Sequence, residues 1–404
     1  MTDHRDGRDP AAADKDPAAA TLGQAAMASL PAPPLPSGLP VQLANRALIY
    51  LRPGKIPAVW PHVDPRWSGM ILAGDDTVKA MRVLQGTGAT FPVLIDPEGY
   101  KDYTATCEAP FRLPGAGGLA VVTLNDLLDS QLQAGAMAAL TPTGYIPAAG
   151  TDILKAAVGE FARLGRADAI FVAPLDISLL GRSYIAQTTA ILAAFGRPVA
   201  LMLGGQGNPL DQSKDIIPNL RKLAARVPLM PIRTDFNGLD LLAHGAVCAG
   251  IGTGGTVRHI VDPAEKPRSF NPGPAPSVLW PELMTFFKGD KIAELFGARP
   301  NLAPRCDCRV CDSQRITRFL RREHQDEAIG HGVAVWSGRA GQLLSAATVR
   351  ERAEYWKNLC GAAVAHHQLF LDLLKRLDGL KPQVSLQRWA TLPVWAADVP
   401  APVA

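Results

Sequence analysis

The chain has 404 residues, 47% of them hydrophobic, and a formal net charge of +4. That length and apolar content suit a soluble globular protein with a large core, and no apolar run reaches the eighteen or so residues of a membrane span. The mild positive charge permits nucleic acid as a partner without demanding it.

Residues 1–40 are rich in Ala, Pro and Asp and nearly free of large apolar side chains. Such a segment cannot offset its ordering entropy and reads as a disordered tail. It lacks the apolar core of a secretory leader, which points to the cytoplasm. Beyond it, apolar runs recur at 69–73, 91–95, 119–123, 169–174, 198–203, 227–232 and 246–251. Stretches with helical periodicity separate several of them, at 76–84, 151–164, 183–194, 211–225 and 236–244. Near-continuous apolar strands alternating with helices imply a parallel sheet covered on both faces. Seven or eight such units match an α/β fold of the (β/α)8 TIM-barrel type in size, and a doubly wound open sheet is the alternative. The barrel is expected to occupy residues 41–300. A Pro-rich stretch at 270–281 leads toward a zinc-binding helical subdomain at 301–385, followed by a tail at 386–404.

In such barrels chemistry sits where strands end and loops begin. The strand ends here supply Asp96, followed by Pro97, Glu98, Gly99 and Tyr100. They also supply Asp176, the Gly204-Gly205-Gln206-Gly207 loop, Asp235 after Arg233 and Thr234, and Gly252 to Gly255. Any one of these aspartates has an ordinary role as a helix N-cap. Three on one rim favour a role in catalysis or in binding a base.

Cys306, Cys308 and Cys311 form a C-x-C-x-x-C run. In a chain without signs of secretion, such thiols point to a metal rather than to disulfides. Three thiolates supply three corners of a tetrahedral zinc site, and a histidine closes it. His324, His331, His366 and His367 lie downstream. Gly332 after His331 suggests a turn, whereas His366 and His367 fall in the helical run 362–374, so His367 ranks first and His331 second. Arg315, Arg318 and Arg322 recur at i, i+3 and i+7, with Arg321 beside them. On one helical face they form a phosphate-binding stripe, or else a solvated face paired with Glu323 or Asp326.

A barrel followed by C-x-C-x-x-C and a histidine resembles the tRNA-guanine transglycosylases and their relatives that insert 7-deazaguanine bases into DNA. The stretch Pro92 to Tyr100 (PVLIDPEGY) is similar to the family's P-[IV]-L-T-D-S-G-G-[FY] strand end. Leu175-Asp176-Ile177-Ser178 stands where the family has F-D-E-C, and His367-Gln368-Leu369 resembles its zinc-ligating His-Asn-Leu. The likeness spans roughly residues 45–376. It implies a pentosyltransferase that exchanges guanine in tRNA or DNA for a 7-deazaguanine base of the queuosine type, with Zn2+ bound. It also implies a nucleic acid partner, no membrane, and a homo- or heterodimeric assembly. Carried over by position, Asp96 is the acid–base group and Asp176 accepts hydrogen bonds from the guanine edge. Tyr100 stacks on the base. Gly205 and Gln206 lie within reach of the base carbonyl. Asp235 is the other strand-end acid available as nucleophile. The chain differs from the family at 245–250, which holds no acid, and at 252–256, which replaces a basic P-T-R segment. These differences lean toward DNA as substrate. With His367 as ligand, the spacing from Cys311 also implies an insertion around 337–350. Other readings are a non-catalytic nucleic-acid-binding or accessory subunit, and an unrelated zinc-stabilised barrel enzyme acting on a small molecule.

Overall fold

The computed structural model describes residues 40–114, 122–266, 273–375 and 380–394. The expected tail, apart from residue 40, lies outside the described residues. Eight strands run parallel: β1 (Arg46–Leu51), β2 (Met70–Ala73), β3 (Val93–Asp96), β4 (Ala139–Leu140), β5 (Ala169–Asp176), β6 (Val199–Gly204), β7 (Leu229–Pro231) and β8 (Cys248–Gly252). Their order is β7-β6-β5-β4-β3-β2-β1-β8. The gap between β7 and β8 is bridged just past the end of β7. Thr234 N donates to Gly250 O at 3.0 Å, and Gly252 N donates to Thr234 O at 2.8 Å. The sheet therefore curls into a nearly closed TIM-like barrel rather than an open doubly wound sheet.

The strands form because their side chains are apolar on both faces. One set fills the barrel interior and the other meets the surrounding helices. Those helices are α1 (Ile56–Val59), α2 (Thr77–Gly86), α3 (Leu124–Gln133), α4 (Thr151–Arg163), α5 (Ile185–Phe195), α6 (Ile216–Ala224) and α7 (Asn237–Ala243). Leu48, Ile71, Leu94, Ile170, Val172, Met202 and Ile232 belong to an inner cluster, distinct from the larger one under the helices.

Two strands, β1 and β4, escape the sequence reading. The apolar run at 119–123 falls largely outside the described residues, and Thr123 is not in a strand but caps α3 through its side chain. The fourth strand is instead the two-residue Ala139–Leu140.

A second layer follows the barrel. The antiparallel hairpin β9 (Ser277–Trp280) and β10 (Thr285–Lys288) leads to α8 (Gly289–Phe296), then to the small hairpin β11 (Arg305–Cys306) and β12 (Gln314–Arg315). The long helices α9 (Gln325–Ser345) and α10 (Val349–Leu374) come next, then α11 (Val384–Thr391). Trp280, Phe296, Cys306, Cys311, Ile316 and Phe319 share one core, so the β9–β10 hairpin packs with the cysteine segment, upstream of the expected boundary at 301. Part of the expected tail at 386–404 is helical: α11 buries Leu386 and Trp389. Arg388 in α11 donates to Leu210 O and Ser213 O, both at 2.8 Å, and so fastens the loop after β6 across 178 and 175 positions of chain. Among the described residues no helix is long and apolar enough to cross a membrane.

Candidate active site and metal centre

At the C-terminal ends of β1, β3 and β7, a cluster of charged and phenolic side chains is buried. Asp96 is 2% exposed. One carboxylate oxygen accepts from the hydroxyls of Tyr50 and of Tyr100 (2.7 Å), and the other accepts from Glu98 N at 2.8 Å. Burial pushes the Asp96 carboxyl above its ordinary pKa, and the bonds from Tyr50 and Glu98 only partly oppose this. Burial likewise holds both phenols well above their usual range, so they stay protonated and donate. Glu98 pairs with Arg52 and, at 2.9 Å, with Arg233. Burial alone would raise the Glu98 pKa, but these two guanidinium groups outweigh it and hold the carboxyl below its usual range.

Arg233 is the hub. It donates to Tyr100 Oη at 2.8 Å, to Thr256 O at 2.8 Å and to His259 O at 3.1 Å. Its guanidinium lies over the rings of Tyr50 and Tyr100, 5.6 and 5.3 Å from their centroids. Glu98 and Arg233 both adopt left-handed backbone conformations, with φ of 51° and 54°. Each costs about 1–2 kcal/mol and survives because surrounding contacts over-determine it. The turn carrying Glu98 needs Gly99, since a Cβ there would lie 2.2 Å from Pro142 O.

Beside this cluster lies a cleft of about 460 Å³, within the range of ligand clefts, bordered by Asp75, Asp96, Glu98, Asp102, Arg112 and Gln131. Arg112 is paired with Asp102 at 2.6 Å, Glu98 is paired with Arg52 and Arg233, and Lys101 also lines the cleft, so its charges are mixed.

The other expected rim residues lie elsewhere. Asp176 accepts from Tyr145 Oη at 2.8 Å and from Ser178 N at 2.9 Å, capping the turn that follows β5. Asp235 accepts from Asn237 N at 2.8 Å at the start of α7. Burial raises its pKa while the charge of Arg258 opposes this. Neither aspartate shares a hydrogen bond with the Asp96 cluster among the described residues. Gly205 N donates to Ile260 O at 3.0 Å, and Gln206 Nε2 donates to Glu265 at 3.0 Å and to Lys266 O at 3.1 Å. Tyr100 is buried with its ring against Arg233 rather than presented to the cleft. Tyr50, Glu98 and Arg233 were not singled out as site residues from sequence. The available signal was positional: Glu98 and Arg233 both stand at strand ends beside expected site residues.

The cysteine segment forms a knuckle. Cys306, Cys308, Cys311 and His331 bring four ligand atoms within 4.8 Å of one another, enough to hold a metal ion. His331 Nδ1 lies 3.6, 3.4 and 3.3 Å from the three sulfurs, and its Nε2 lies 2.7 Å from Leu279 O. That carbonyl accepts the Nε2 proton and leaves Nδ1 as the ligand, an orientation typical of metal-bound histidines. Hydrogen bonding with Cys306 and Cys311 favours the Cys308 thiolate. Burial disfavours the charged ring of His331, but bonds to Cys308 and Cys311 outweigh it and lift the pKa to about 10.

The histidine that completes the cluster is therefore His331 and not His367. Both ring nitrogens of His367 face carbonyls, Nε2 toward Leu283 O at 3.0 Å and Nδ1 toward Leu380 O. His331 lies inside helix α9, not at a turn, only 20 positions from Cys311. The implied insertion around 337–350 disappears with this correction.

The arginine stripe is also corrected. Arg315 lies in β12, Arg318 in a 3-10 turn (Ile316–Arg318) and Arg322 in a second one (Arg322–His324). The chain bends there to bury Ile316 and Phe319. Arg318 turns inward, pairing with Glu327 at 2.5 Å and lying 3.7 Å from Cys311 Sγ, while Arg322 is exposed.

No protein-family model matches the chain. No curated protein matches it either.

Proposed function

We propose that the protein is a pentosyltransferase exchanging guanine in a nucleic acid for a 7-deazaguanine base, with zinc in the Cys306–Cys308–Cys311–His331 knuckle. The observation that carries the reading is Asp96: a buried carboxyl with a raised pKa on the border of a ligand-sized cleft, at the strand end that resembles the transglycosylase motif. A carboxyl whose burial favours its protonated form, beside donors that favour the ionised form, suits proton transfer in both directions. The N-glycosidic bond of the flipped-out guanosine breaks as a carboxylate oxygen bonds to C1′. Asp96 gives its proton to the departing guanine. The incoming base then bonds to C1′ through its ring nitrogen, releases the carboxylate and returns a proton to Asp96. Asp235, the other strand-end acid, is outside the lining of this cleft and would have to reach C1′ from beyond it to act as the nucleophile. Asp75 on the cleft border offers a carboxylate to the N–H edge of such bases. Zinc held by Cys306, Cys308, Cys311 and His331 would serve a structural role, since the chain itself supplies four ligands.

A second reading is an accessory subunit without activity. It is favoured by the occupancy of Asp96, whose oxygens already accept three hydrogen bonds from Tyr50, Tyr100 and Glu98.

The test incubates the full chain with a labelled 7-deazaguanine base and either tRNA or duplex DNA. Label entering one polymer, abolished in Asp96→Asn, supports the transferase. No incorporation, together with saturable binding of either polymer, supports the accessory subunit.

A further inference from the structure

A second cleft, of about 280 Å³, lies between the segment after α1 and helix α9, against the knuckle loop. It is lined by His62, Asp64, Arg66 and Trp67 on one side, by Ala334, Ser337, Gly338 and Gly341 of α9 on the other, and by Arg309. The helix face is recessed. A Cβ at Gly338 would meet nothing within 4 Å, and one at Gly341 would come 3.2 Å from Trp67.

Two polar side chains in this wall are buried without partners. His62 and Ser337 are 9% and 7% exposed, and neither His62 Nδ1 nor Ser337 Oγ has a hydrogen-bond partner. Buried polar groups of this kind are normally satisfied, so two lining one cleft mark a place for a polar ligand. The charges say which kind. Arg309 is exposed, makes no hydrogen bond or ion pair among the described residues, and is close enough for its charge to act on both His62 and Asp64. Arg66 is held by Asp64 through two bonds, at 3.1 and 2.9 Å, which fixes its guanidinium at the rim. Asp64 offsets one of the two positive charges and leaves a net excess of one.

We propose that this cleft binds a phosphate group, with Arg309 supplying the charge and His62 Nδ1 and Ser337 Oγ donating to its oxygens. Guanidinium, hydroxyl and imidazole N–H donors around a small recess suit a tetrahedral oxyanion. The inference does not depend on the transferase reading, since the cleft shares no residue with the Asp96 cleft. The phosphate can be a free ion or part of a nucleic acid backbone.

The experiment titrates the full chain by calorimetry with two probes, inorganic phosphate and a trinucleotide that carries only internal phosphodiesters. Arg309→Gln removes the unpaired charge at an exposed position. Gly338→Leu fills the recess from a helical site with open space. Ser337→Ala removes one donor. Arg350→Gln, an exposed arginine paired with Glu354, controls for loss of charge alone. The expected result is binding of at least one probe, weakened roughly tenfold by Arg309→Gln, as for one charge-assisted hydrogen bond. Gly338→Leu abolishes it, Ser337→Ala weakens it, and Arg350→Gln leaves it unchanged. Binding of inorganic phosphate assigns a free-ion site, and binding of the trinucleotide alone assigns a backbone contact. The proposal is overturned if neither probe binds, if binding survives both Arg309→Gln and Gly338→Leu, or if Arg350→Gln weakens it as much as Arg309→Gln.

Discussion

The barrel mouth and the cysteine knuckle are both buried and polar, and they balance their electrostatics in opposite ways. At the mouth, Arg52 and Arg233 both pair with Glu98, while Asp96, its pKa raised by burial, accepts from Tyr50 and Tyr100. At the knuckle, four ligand atoms crowd together, and their mutual bonds depend on protons that a cation replaces. One cluster is complete from the chain alone. The other has the ligand set to draw stability from a bound metal ion. The mouth should therefore respond to charge deletion and the knuckle to metal removal.

The largest effect is expected from the knuckle. Structural zinc is worth about 10–16 kcal/mol in small zinc domains. Cys308→Ser or His331→Ala should lose the metal and unfold the Cys306–Phe319 region, read by metal analysis and circular dichroism. His367→Ala should keep about one zinc per chain, and metal loss in that variant would break the assignment of His331. Acidification should release the metal, since protons compete for the thiolates.

Next is the Glu98–Arg233 pair. Glu98→Gln strands a buried guanidinium and should cost about 3–5 kcal/mol, measured as a drop in Tm or urea midpoint. The depressed Glu98 pKa stabilises the fold above the usual glutamate value of 4.5, and that contribution is lost as pH falls through the folded-state value. The variant should therefore show a flatter acid limb in its stability profile.

Asp96→Asn should lower base exchange by about 10²–10⁴-fold with a much smaller effect on stability. The raised pKa of Asp96 means the folded state holds its proton longer than the unfolded chain. The wild type therefore loses stability as pH rises from 3.8 through the folded-state value, and the asparagine variant should not. Near wild-type exchange in this variant would reduce the mouth to a structural cluster.

The smallest effect belongs to Arg322→Gln. Its exposure predicts a change within about 0.5 kcal/mol in stability, and a nucleic acid contact there would appear only as a shallower salt dependence of binding.

How much of this was legible depends on distance along the chain. The cysteine run is local, so its meaning is carried within six residues. The fourth ligand is not, because Gly330, Gly332, Gly338 and Gly341 weaken the helical signal of α9 and hide His331 inside it. Strands β2, β3, β5, β6, β7 and β8 announce themselves as apolar runs. The two residues of β4 are too few to show, and missing β1 also hid Tyr50. Asp96 was visible at a strand end, with Glu98 and Tyr100 close behind it, but its third partner, Tyr50, comes from β1. No spacing rule predicts that Arg233 would reach Glu98, because their meeting is made by the closure of the barrel.

The clamp of Arg388 on the loop after β6 has a consequence for the order in which the chain is made. Leu210 leaves the ribosome 178 residues before the side chain that fastens it. At roughly 5–20 residues per second that interval is about 10–35 seconds. During synthesis the rim around Asn208 and Gln212 must wait, unpinned, while the knuckle and both long helices emerge. A nascent chain halted before α11 would present a barrel whose walls are built and whose rim is not.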